Sequence, residues 1–129
     1  MNSVEAEDLM ATLVSAYVWV ASSDEGVAGI EFEKFKRVFV ESPFATQIAP
    51  EDLTPVRHAF KDMVSLFEEN FEKAMQLTQK RLKGYSNSPM ISEEIYRISR
   101  AAVVADLNIK EVEETVLKTI SEALGRATT

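Results

Sequence analysis

A pattern that occurs twice, 82 residues apart, constrains this chain more than any other feature. Asp24 recurs as Asp106, Val27 as Ile109, Ile30 as Val112 and Glu31 as Glu113; Phe35 recurs as Leu117, Lys36 as Lys118 and Val38 as Ile120. The apolar members follow helical spacing, and each copy comes directly after an apolar stretch that is itself helical in pattern. The implied unit is a helix, an acidic turn and a second, amphipathic helix, present over about residues 9–41 and again over about 91–123. Duplicated packing needs only the apolar matches. The Asp and Glu that recur with them are the part that packing leaves unexplained.

The rest of the chain is helical in pattern as well. Leu9, Leu13, Tyr17 and Val20 form one stripe from about Val4 to Ser22, and Met10, Val14, Val18 and Ala21 nearly complete the circumference. That pattern predicts a central helix buried on most sides. A second helix runs from near Gly29 to Glu41 and stops at Ser42-Pro43, because proline disfavours helix in the residue before it. Phe44 to Ala49 is a short connection whose Phe44 and Ile48 tuck into the core. Thr54 is expected to cap a third helix, after a short helical turn, with Pro55 at its first position and its end near Phe67. A fourth helix spans Phe71 to Lys83, with Gly84 as a left-handed cap. Ser92 opens a fifth, to Ala105, and the sixth covers Lys110 to Leu124, capped by Gly125. Sustained period-two alternation is absent from the sequence. The expected fold is all-α, a single-domain bundle of about six principal helices over residues 1–129 with an internal duplication.

Composition narrows the function. With no cysteine, the chain has no disulfide, no thiolate metal site and no cysteine nucleophile, which fits a cytoplasmic protein. A net charge of −7 repels phosphate backbones unless basic residues gather on one face. The local basic cluster, Lys80, Arg81 and Lys83, closes a predicted helix and complements its dipole, so nucleic acid is not the expected partner. Met1 to Asp8 carries acids without Lys or Arg and does not read as a signal peptide. The apolar run from Leu9 to Ala21 is too short to span a bilayer, which takes about 20 residues, so stable membrane insertion is not expected. His58 is the single histidine, in mid-helix and without a partner for nitrogen-rich metal chemistry. A di-iron bundle would need Glu-x-x-His motifs, and Pro55 stands three residues before His58. No glycine-rich phosphate loop or nucleophile triad is recognisable, so an enzyme is not expected.

Two readings of the repeated acids follow. In one, Asp24 and Asp106 cap turns while Glu31 and Glu113 are first-turn acids that answer exposed N–H groups and the helix dipole. In the other, the two junctions face each other and four carboxylates converge, an arrangement that a cation must neutralise. Positions 28 and 110 are Ala and Lys, so neither glutamate has a Ser/Thr partner for a capping box. Oxygen-only ligands suit Ca²⁺, Mg²⁺ or Mn²⁺ better than Zn²⁺. The junctions are not EF-hands, since Phe35 and Leu117 stand where the twelfth-position glutamate would be.

The second copy, Ala101-Ala102-Val103-Val104-Ala105-Asp106 followed by Ile109, Glu111, Glu113 and the terminal Ile120-Ser121-Glu122-Ala123-Leu124-Gly125, resembles the TerB-like tellurite-resistance family. Ile48-Ala49-Pro50-Glu51-Asp52-Leu53 is similar to the start of that family's third helix. The resemblance spans roughly residues 9–125. It implies an all-α domain of two similar halves, with Asp24, Glu31, Asp106 and Glu113 as ligands of a divalent cation. It also implies linkage to stress responses to tellurite, oxidants or phage. The expected role is that of a non-enzymatic binding domain with a protein partner or self-association. Glu25 and Leu107 depart from the glycine that usually follows the family's aspartates. The reading from a different class is a metal-free interaction or oligomerisation module in which the acids only cap helices.

Overall fold

The computed structural model describes residues 1–25, 30–104 and 111–126, without the side chains of Asp24, Glu25 and Val104. Among the described residues there are seven helices and no strand. They are α1 (Ser3–Glu25), α2 (Phe32–Phe39), α3 (Ala45–Ile48), α4 (Thr54–Glu69), α5 (Phe71–Lys83), α6 (Pro89–Val104) and α7 (Glu111–Ala123). Six are those expected from the periodicity, and the short α3 carries the buried Ile48 foreseen in the connection. The chain is therefore an all-α helical bundle.

Helix α1 is its axis. Asn2 caps it by accepting a hydrogen bond from the Glu5 N–H at 2.8 Å. Every residue from Thr12 to Val20 is buried, and α4, α5, α6 and α7 all pack around it. A helix enclosed on all sides must satisfy its own polar side chains. Thr12 Oγ1 donates to the Asp8 carbonyl at 2.8 Å, and Ser15 Oγ donates to Ala11 at 2.6 Å.

Helix α2, with eight residues, is shorter than the roughly 12–15 that a helix needs to persist alone in water. Aromatic packing holds it instead. Phe35 meets Tyr17 of α1 edge-on at 5.2 Å between ring centroids and lies 5.5 Å from Phe60 of α4. Phe32 packs against the same Phe60 at 5.4 Å, under the Arg57 guanidinium.

Helix α1 runs on past the expected stop at Ser22 to Glu25, so Asp24 belongs to its last turn, and α2 spans Phe32–Phe39 where Gly29 to Glu41 was expected. Three further helix ends also differ from their sequence reading. Leu53, not Thr54, is the N-cap residue of α4, and Pro55 follows inside the first turn. Asp52 takes over the capping role, its Oδ1 accepting from the Thr54 N–H at 2.8 Å, which holds its carboxyl below the usual range. Pro50-Glu51-Asp52 thus precedes the helix, and no helical turn forms there. Gly84 is right-handed, with φ −64°; the N–H groups of Gly84, Tyr85 and Ser86 each bond three residues back, tightening the chain instead of reversing it. Helix α6 starts at Pro89, ahead of Ser92, since proline suits a first helical position.

Gly125 does adopt the left-handed conformation, with φ +72°. The Arg126 N–H bonds the Ser121 carbonyl and the Gly125 N–H bonds that of Glu122, both at 3.0 Å, the paired bonds of a Schellman motif. No described helix is long and apolar enough to cross a membrane.

The two units paired by the sequence differ in helix length. Helices α1 and α2 have 23 and 8 residues, whereas α6 and α7 have 16 and 13. The duplication rests on the sequence pattern.

Candidate functional site

Polar contacts fix the direction of the helices. Asp8, near the start of α1, accepts hydrogen bonds from Arg81 Nη1 at 2.9 Å and from Tyr85 Oη at 2.6 Å, just before α6 begins. Of all the helices, α6 packs most extensively on α1. Starting beside the first turns of α1, it achieves this by running alongside α1 in the same sense. Gly125, after α7, lies against Ser86, so α7 runs back in the opposite sense. Helix α4 also opposes α1: Phe60 packs on Tyr17, while Met63 lies nearer the start of α1, beside Met10. The starts of α2 and α7 therefore fall toward the end of the bundle where α1 and α6 finish.

Glu31 and Glu113 are thus brought to one end of the molecule, in contrasting environments. Glu31 is the exposed, extended residue before α2 (φ −110°, ψ 130°), and its side chain caps no N–H group. Glu113 stands inside the first turn of α7 and is only 8% exposed. Each heads a core stripe in the same register, Glu31 with Phe35 and Val38, Glu113 with Leu117 and Ile120. The outcomes differ because α7 begins two residues before its glutamate and α2 begins one residue after its own. Inclusion in the helix rotates Glu113 inward, and Val112, grouped with the apolar face in the sequence reading, is 47% exposed. Asp106 and the side chain of Asp24 lie outside the described residues. Among the described residues, no group of three or more His, Cys, Asp or Glu is placed to hold a metal ion.

Glu31 acts electrostatically on the core beside it. Burial raises the pKa of the Tyr17 hydroxyl above its ordinary 10, and the Glu31 charge adds to the effect. His58 is exposed on α4, and Trp19 and Tyr17 belong to the core.

The sequence reading missed the Asp8–Arg81–Tyr85 cluster. Arg81 does lie in the last turn of α5 with Lys80 and Lys83, as the dipole argument expects, yet it also pairs with Asp8. The partners are 73 residues apart in the chain, so no local spacing announces them. The Tyr85 pKa rises too, through burial first and then through its bond to Asp8. In α6, Arg97 pairs with Glu94 and reaches the Val38 carbonyl of α2 at 3.4 Å.

The chain matches no protein-family model, no curated protein and no solved structure.

Proposed function

We propose that this chain is a non-enzymatic, cytoplasmic binding domain of the TerB-like kind, acting in a stress response through the end of the bundle where α1 and α6 finish. Asp24, Glu31, Asp106 and Glu113 would supply oxygen ligands to a divalent cation there, Ca²⁺, Mg²⁺ or Mn²⁺ in preference to Zn²⁺. The observation that supports this reading is the common placement of Glu31 and Glu113, one at the start of α2 and the other enclosed in the first turn of α7. Binding a cation and docking or self-associating would then be linked, because an ion held between two junctions fixes the helices that leave them.

One observation favours a metal-free interaction module instead. Glu111, Glu113 and Glu114 all fall in the first turn of α7, where each gains from the helix dipole without an ion.

Thermal unfolding after chelation, with each cation returned in turn, separates the two. A cation at about 100 times its Kd stabilises by about 2.7 kcal/mol. At roughly 2.1 cal/mol/K of unfolding entropy per residue, that raises the midpoint by about 10 °C. Asp24→Asn and Asp106→Asn are each expected to abolish the rise. A midpoint that no cation moves, or a rise that survives both substitutions, leaves the interaction module.

A further inference from the structure

Near the start of α1, a groove of about 440 Å³ lies between α1 and α4. Its apolar surface comes from Met10 and Ala11 of α1 and from Ala59 and Met63 of α4. Val4, 74% exposed, adds to that surface. Methionine side chains repack at little cost, which makes such a surface adaptable to an inserted side chain.

The charge around the groove is one-sided. Both Asp8 oxygens are engaged, one by Arg81 and the other by Tyr85, so the Arg81 cation beside the groove is already answered. Glu7 and Asp62 also line it, and among the described residues neither has an ion pair. An apolar floor with two unanswered carboxylates fits an apolar side chain flanked by cations. A second copy of the chain fits poorly, because each copy carries a net charge of −7.

We propose that this groove docks a basic amphipathic helix of a partner protein, with one apolar side chain seated between Met10 and Met63 and Lys or Arg residues facing Glu7 and Asp62. Helix-in-groove recognition of this kind anchors through residues on a single helical face. The rim charges set the sign of partner accepted, and the methionines tolerate variation in the anchor.

The test uses the full chain and a fluorescein-labelled amphipathic Leu/Lys peptide of about 15 residues, with a Leu/Glu peptide of the same apolar pattern as control. Anisotropy is expected to show saturable binding of the Leu/Lys peptide that weakens with salt, and no binding of the Leu/Glu peptide. The Glu7→Lys/Asp62→Lys variant is expected to lose at least about tenfold in affinity, or about 1.4 kcal/mol. The Glu51→Lys/Glu122→Lys variant, with the same change in net charge on surfaces away from the groove, is expected to keep its affinity. In methyl spectra of Met-labelled protein, the Met10 and Met63 signals are expected to move and those of Met75 and Met90 to stay. Failure of the Leu/Lys peptide to bind, equal binding of both peptides, equal losses in the two charge variants, or shifts confined to Met75 and Met90 would each overturn the assignment. A dimer that forms through the groove and is broken by Glu7→Lys/Asp62→Lys would overturn it in favour of self-association.

Discussion

Phe35→Ala tests whether aromatic packing is what holds α2 in place. The Phe35 side chain is fully buried and lies within ring-pairing distance of four others: Tyr17 at 5.2 Å, Phe60 at 5.5 Å, Phe39 at 5.7 Å and Phe32 at 6.3 Å. Truncating a buried phenylalanine costs about 3–5 kcal/mol through lost transfer free energy and the cavity left behind. The four ring contacts place this site near the middle of that range or above it, so about 4 kcal/mol is expected. The unfolding entropy of a domain this long is roughly 0.27 kcal/mol/K, which converts the loss to about 15 °C in Tm. Urea and thermal unfolding followed by circular dichroism measure both quantities. Val40→Ala is the control, because Val40 is 52% exposed just after α2 and should change stability by no more than about 0.5 kcal/mol. A Phe35→Ala loss below about 1.5 kcal/mol, with an unchanged denaturant slope, would refute the idea that this ring anchors α2.

Other predictions follow from single contacts. Asn70 Oδ1 caps α5 by accepting from the Lys73 N–H at 3.1 Å, so Asn70→Ala should lower the urea-derived stability by about 1 kcal/mol. Gly125→Ala places a Cβ on left-handed backbone, 3.4 Å from the Ser86 Cβ, and should cost about 1–2 kcal/mol in the same assay. Tyr85 has a folded-state pKa raised above its ordinary 10, so the unfolded chain loses this proton first as pH rises. Its contribution is therefore intact below about pH 10 and is lost above it. In urea titrations across roughly pH 8 to 11, Tyr85→Phe should flatten this alkaline decline and cost about 0.5–1.5 kcal/mol at neutral pH for the lost bond to Asp8. The residual slope should reflect Tyr17, whose pKa is also raised.

The fold was legible where a single local signal decided the outcome. The apolar surround of Leu9 to Ala21 foretold a buried α1, and the span Phe71 to Lys83 expected for the fourth helix is that of α5, because periodicity is read over a few residues. Gly84 and Thr54 misled because two residues competed for one role. Asp52 could cap α4 from outside the helix, and the tightening turn through Tyr85 needed no left-handed glycine. Of the four candidate carboxylates, Glu113 could be placed on a core stripe from its spacing to Val116, Leu117 and Ile120. Its burial could not, since burial depends on α7 starting before it and not after. The Asp8–Arg81–Tyr85 cluster and the Met10–Met63 groove join residues remote in sequence, and only the packing of α4 and α5 on α1 creates them.

The hydroxyls buried in the bundle do not hold its helices in register. Thr12, Ser15, Thr78 and Ser99 are essentially inaccessible, and each donates to the carbonyl four residues earlier in its own helix. Such bonds satisfy the hydroxyl without engaging a neighbouring helix, so they place no demand on how helices slide past one another. Register must come from elsewhere. The Phe32–Phe35–Phe60–Tyr17 cluster fixes α2 and α4 against α1 through shape, and Asp8 pins the end of α5 to the start of α1 through directed bonds. That second tie also consumes Asp8, which would otherwise be a third open carboxylate in the groove beside it. One contact thus sets the position of α5 and leaves Glu7 and Asp62 as the charges that a docking helix would meet.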